Sequence, residues 1–175
     1  MAEHLSPNFT LEELIYSSTA KAKGINNTPT EIHKKTLKHT CLYLLEPLRA
    51  LLNEKYKEYK GKKVKYVSVK ITSGYRGPVL NKAVGGVPTS GHCKGEAVDC
   101  EATLNFVDGT KQVLPYTELF KDIKTWVKAG RISVDQAIQE KSGNAVWIHI
   151  SHNAAGKTRD RKQFLIYLNG KYTTG

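Results

Sequence analysis

His92, Asp99 and His149 are the residues of this 175-residue chain whose types and spacing could act together as a reaction centre. His92 and Asp99 lie in Ser90-Gly91-His92-Cys93-Lys94-Gly95-Glu96-Ala97-Val98-Asp99, and His149 in Trp147-Ile148-His149-Ile150-Ser151. Two imidazoles and one carboxylate form the ligand set of a catalytic zinc site, in which the fourth position stays open. Taken singly, each has a blander reading: a His in a glycine-rich loop is usually a surface group, and a His on an apolar strand is usually a satisfied core group. The chemistry therefore depends on convergence. His92 and Asp99 are an odd number of residues apart, so one regular strand would put them on opposite faces. The chain must bend between them, and Gly91 and Gly95 supply that freedom. The expectation is a loop carrying His92 that leads into a strand carrying Asp99. Trp147 and His149 point the same way on their strand, whereas His152 points the other way and is not expected to ligate the same ion.

The three cysteines, Cys41, Cys93 and Cys100, are an odd set with no C-x-x-C pair. Cys41 falls on an apolar helical face and reads as core. Cys93 and Cys100 each follow a candidate ligand. A disulfide between them, or a structural metal site with His92, ranks below free thiols.

The positioning elements follow from local pattern. Phe9-Thr10-Leu11-Glu12-Glu13-Leu14 combines a capping box at Thr10 and Glu13 with a hydrophobic staple, opening a helix that should run to about Gly24. A second helix should start at Thr28-Pro29-Thr30-Glu31, with Thr28 as cap. Leu37, Cys41, Leu44, Leu45, Leu48, Leu51 and Leu52 then mark one buried helical face, with a kink or break expected at Pro47. The polar stretch to Lys65 should end in a loop. Strands are expected over 66–72, 96–103, 133–140, 145–151 and 163–168, with turns at 141–144 and Asn169-Gly170. Helices are expected over 76–84 and 116–128. Helices first and strands mostly later predict an α+β fold, N-terminal helices packed on a mainly antiparallel sheet. One domain is expected over 1–175, with 1–60 helical and 66–175 carrying the sheet and the site.

The net charge is +11, from 27 Lys and Arg against 16 Asp and Glu. It favours a polyanionic partner such as nucleic acid, an anionic membrane or an anionic cell-wall polymer, with the lysines between Lys55 and Lys65 as the densest run. The plain alternative is a solvated segment. No apolar run is long enough to cross a bilayer, and the start lacks the basic and apolar regions of a signal peptide. A monomer is the expected state.

Ser73-Gly74-Tyr75-Arg76, Asn81-Lys82-Ala83-Val84-Gly85-Gly86, Ser90 to Asp99, Asp135-Gln136 with Glu140, and Trp147 to Ser151, in that order, resemble the zinc D-Ala-D-Ala carboxypeptidase family, and within it single-domain phage and bacterial peptidoglycan peptidases. Phe9 to Leu14 and Leu45-Glu46-Pro47-Leu48-Arg49 also look like that group. The resemblance implies a hedgehog/DD-peptidase-like fold, Zn2+ held by His92, Asp99 and His149, and a peptidoglycan peptide as substrate. It makes Arg76 the active-site arginine, for a developing oxyanion or a substrate carboxylate. Ser90 would brace the ligand loop or contact substrate, and Gln136 would line the substrate site. The general base carried three residues before the second His by several relatives is here Val146, so Glu140 takes that part. A tight hairpin over 141–144 would pair Glu140 with Ala145 and Gln136 with His149. That leaves Glu140 four residues, about 13 Å, along the strand from the site, and a wider loop or a bulge would bring it closer. A phage or prophage product acting on the bacterial wall would explain the missing export signal. Two other functions stay open: a non-catalytic zinc-containing wall-binding module, and a nucleic-acid binder using the lysines with Tyr56, Tyr59 and Tyr66. The second lacks any accompanying nucleic-acid motif.

Overall fold

The computed structural model describes residues 2–154 and 160–175 and shows an α+β protein. A short antiparallel pair, β1 (His4–Ser6) and β2 (Phe9–Thr10), leads into α1 (Leu11–Ile15). Both arms of the capping box form, with Thr10 Oγ1 accepting from the Glu13 amide and Glu13 accepting from the Thr10 amide. The helix does not continue to Gly24. It stops at Tyr16, and Ser17 caps a separate α2 (Ser18–Lys23) that Gly24 closes with φ +60°. The Ser17 hydroxyl accepts the Ala20 amide, a local bond that competes with continuation of the first helix.

α3 (Glu31–Thr40) is capped by Thr30, two residues later than Thr28. It runs through a π-helical turn (Cys41–Leu45) into α4 (Glu46–Lys55). This turn replaces the expected break at Pro47. Proline cannot supply an amide to the turn before it, and the wider turn, in which the Glu46 amide bonds Cys41 carbonyl, absorbs the missing donor. The leucine face and Cys41 are buried as expected.

The lysine-rich stretch is a hairpin rather than a loop. β3 (Glu58–Tyr59) turns at Lys60 and Gly61 into β4 (Lys62–Ser73). β5 (Ala97–Phe106), β6 (Lys111–Val113), β7 (Gln136–Ser142), β8 (Ala145–Ser151), β9 (Gln163–Leu168) and β10 (Lys171–Thr174) complete one sheet. Its order is β10-β9-β7-β8-β5-β4-β3, with β6 also on β5. Every pairing is antiparallel except β7 with β9. α5 (Pro78–Ala83) links β4 to the site loop, and α6 (Tyr116–Lys128) buries Leu119, Ile123 and Val127 in the core. Cys41, Cys93 and Cys100 are all free thiols. No helix among the described residues is long and apolar enough to cross a membrane.

Candidate metal centre and groove

The bend required between His92 and Asp99 is a single 3-10 turn (Gly91–Lys94). Ser90 caps it by accepting the His92 amide at 3.3 Å, and Gly95 ends it with φ +75°. The chain then enters β5, where Asp99 faces His149 of β8 directly. Because cross-strand partners share a face, Asp99, His149 and Ile138 of β7 form one row across the sheet.

Three atoms converge above this row. His92 Nε2 lies 3.2 Å from His149 Nδ1 and 3.2 Å from Asp99 Oδ1, and His149 Nδ1 lies 3.0 Å from the same oxygen. Four ligands at the usual zinc distances, set tetrahedrally, stand about 3.3 Å apart, so these donors fit a small tetrahedral cation. The protonation states fit as well. His92 Nδ1 donates to the Gly74 carbonyl at 2.7 Å, which leaves Nε2 with its lone pair toward the cluster. Burial holds the His92 imidazole pKa below its ordinary value, favouring the neutral ring that binds metal. Burial alone would raise the Asp99 carboxyl, but His92 and His149 outweigh it and hold it well below the usual carboxylate range. His92 is 2% exposed and Asp99 8%, so the donors are fixed rather than mobile surface groups.

Arg76 is tied into the same cluster. Its Nη2 donates to Asp99 Oδ2 at 3.0 Å, its Nε to Ser73 Oγ at 3.1 Å, and its amide to the His92 carbonyl at 3.2 Å. The pair with Asp99 is one that a purely structural arginine would also make, and it sits at the edge of the cluster.

The structure corrects the β7–β8 register. The loop is two residues, Gly143 and Asn144, with Ser142 opposite Ala145. Gly143, at φ +57°, occupies the first loop position, where a two-residue hairpin turn tolerates glycine best. Glu140 consequently pairs with Trp147, not Ala145, and Gln136 with Ser151, not His149. Glu140 is two residues from the His149 row, about 7 Å of strand rise instead of about 13 Å. Its carboxyl pKa is raised, first by burial and then by the negative charge of Asp99. Gln136 lies on the other side of the row and bonds Gln163.

These residues line one groove of about 730 Å³. Arg76, Ser90, His92, Asp99, Glu140 and His149 all face it, as does Gln136. Sequence reasoning missed the walls. Tyr167 and Tyr172, on β9 and β10, stand beside Glu140 with ring centroids 4.8 Å apart. A strand was expected over 163–168, but nothing local showed that it lies parallel to β7. At the other end, Asp135 accepts from the Asn153 amide group and from both the backbone and guanidinium of Arg161, an ion pair that builds the wall rather than the centre.

A family model described as Peptidase M15 matches residues 7–114 of the chain. The match spans Arg76, Ser90, His92 and Asp99 and stops before Glu140 and His149. A search of curated proteins returns no match.

Proposed function

Because the chain belongs to the zinc-dependent peptidase M15 family, that of the zinc D-Ala-D-Ala carboxypeptidases, we propose that it is a zinc peptidase cleaving peptide bonds in bacterial peptidoglycan. The observation that carries the reading is the His92, Asp99 and His149 donor set, 3.0 to 3.2 Å apart on the floor of an open groove. Zn2+ held by these three residues would polarise the scissile carbonyl and make water nucleophilic at neutral pH. Glu140 takes the proton of the attacking water and delivers it to the departing amine. A raised pKa suits that double duty, since the group must both accept and release a proton near neutrality. Arg76, fixed by Asp99 and Ser73, keeps further guanidinium hydrogens for the carbonyl oxygen as negative charge develops there. Ser90 holds the turn that presents His92, and Gln136 lines the groove beyond the ligand row.

The basic surface fits an anionic wall polymer. Lys57, Lys60, Lys63 and Lys65 are exposed on and beside the β3–β4 hairpin. β4 is 12 residues long and reaches the site only at Ser73, so the hairpin stands about 35 Å from the ligand row. It could hold a polymer without crowding the groove.

The test is digestion of purified peptidoglycan by zinc-loaded and chelator-stripped protein, read by mass spectrometry with metal analysis of the same samples. New peptide ends should appear only with about one zinc per chain. Zinc binding without any new ends would instead identify a non-catalytic module.

A further inference from the structure

The cluster of His39, His152 and Asp160 at the Gln136 end of the groove plays no part in the chemistry above. On a continued strand His152 would point away from His149, but β8 ends at Ser151 and His152 lines the same groove. Its Nδ1 lies 2.7 Å from Asp160 Oδ2, and its amide donates to the Glu96 carbonyl at 2.9 Å. His39, from α3, stacks on the ring with centroids 5.2 Å apart and planes within 10°. Asp160 is itself fixed, accepting the Asn153 amide at 2.9 Å and the Ser133 hydroxyl at 2.6 Å. The imidazole is thus held in position and plane, with Nδ1 committed to a carboxylate. Nε2 is the nitrogen left for the groove that the side chain lines.

Position along the sheet says what it could hold. Glu140 lies on one side of the His149 row, while Ser151 and His152 lie on the other. An extended peptide crossing the ligand row along the strands would pass the tyrosines and Glu140 on one side and reach His152 on the opposite side, about 10 Å along β8 from His149.

We propose that His152, oriented by Asp160, is a substrate-binding residue whose Nε2 hydrogen-bonds the peptide on the side of the scissile bond away from Glu140, so that the groove grips substrate on both sides of the bond it cuts. The inference rests on the peptidase reading. His152 acts on binding remote from the reacting atoms, and Asp160 is a positioning residue. Contacts of this kind appear as a gain in kcat/KM when the substrate becomes long enough to reach them.

The experiment uses synthetic peptidoglycan stem peptides, extended one residue at a time from either end of the cleaved bond. On one side only, the extension that reaches His152 should raise wild-type kcat/KM about tenfold, the order expected for one well-placed hydrogen bond. Two substitutions separate contact from scaffolding. His152→Asn places an amide where Nδ1 was and keeps a donor to Asp160 but removes the reach of Nε2. His152→Gln places its amide near Nε2. The Asn variant should lose the gain while cutting the shortest substrate within about twofold of wild type, and the Gln variant should keep part of it. Zinc content and melting temperature of the Asn variant should match wild type. The proposal is overturned if the Asn variant keeps the full gain, or if both variants lose equally on short and long substrates. No cleavage of any peptide by zinc-loaded wild type would instead remove the peptidase reading on which it rests.

Discussion

At the scale of single residues, the proposed mechanism separates holding a metal from moving a proton. His92 and Asp99 are locked by neighbours outside the cluster, the Gly74 carbonyl on His92 and Arg76 on Asp99, and His149 is held against Asp99. Glu140 is outside that set, two residues along the strand from the ligand row, with its pKa raised by burial and by Asp99. Glu140→Gln keeps shape and a hydrogen-bonding end but cannot accept the proton. The expected result is unchanged zinc stoichiometry with kcat lowered by about 10²- to 10⁴-fold, the usual worth of a general base. Metal analysis beside steady-state kinetics checks both halves. His92→Ala should fail the other way, losing zinc and activity together.

At the scale of elements, the placement of His92, Asp99 and His149 was readable because it rests on short-range rules. An odd separation plus two glycines required a bend, and a bend is present as the 3-10 turn. Alternation in β8 put Trp147 and His149 on one face, and both line the groove. The register of β7 on β8 was not readable, because Lys141-Ser142-Gly143-Asn144 serves as a four-residue turn or a two-residue one, and only packing of the whole sheet chooses. That choice moves Glu140 by two residues. The contribution of β9 and β10 was hidden for a similar reason, since parallel pairing with β7 crosses a long connection. The N-terminal helices matter to the site through a contact that sequence could not show. The Gly74 segment lies against the end of α1, where the Tyr75 amide bonds Leu14 carbonyl at 2.7 Å, and a Cβ on Gly74 would stand 2.2 Å from that oxygen. Gly74→Ala must therefore push β4 away from α1 and drag the carbonyl that orients His92. It should cost about 2 kcal/mol of stability, the scale of an overpacked site. It should also weaken zinc binding about tenfold or more, as loss of an outer-shell partner does. Thermal melts and competition with a zinc chelator measure the two effects.

At the scale of the whole molecule, acid should lower stability in two pH windows, one from half-buried histidines such as His39 and one from paired carboxylates such as Asp135. His39 has a pKa below the ordinary 6.5, chiefly through burial and then through the neighbouring His152, with Asp160 opposing. It packs between the Tyr43 and His152 rings. A base whose folded pKa is depressed binds its proton more readily when unfolded. Stability is therefore untouched above about pH 6.5, falls as pH drops from there toward the folded value, and then levels. Asp135 behaves as a depressed acid. Arg161 holds its carboxyl below the ordinary value through paired hydrogen bonds, against the cost of burial. Its contribution is present above the unfolded value near 4 and is lost as pH falls through the folded one. His39→Phe keeps an aromatic ring between its neighbours and removes the titrating group, so the decline in melting temperature that begins below about pH 6.5 should shrink while the decline below about pH 4 remains. Asp135→Asn should do the reverse: a lower melting temperature at pH 7, an intact decline beginning below about pH 6.5, and a shallower one below about pH 4. Melting curves at half-unit pH steps, run on metal-free protein so that zinc release does not enter, distinguish the two. A single transition shared unchanged by wild type and both variants would show that neither group governs the acid limb.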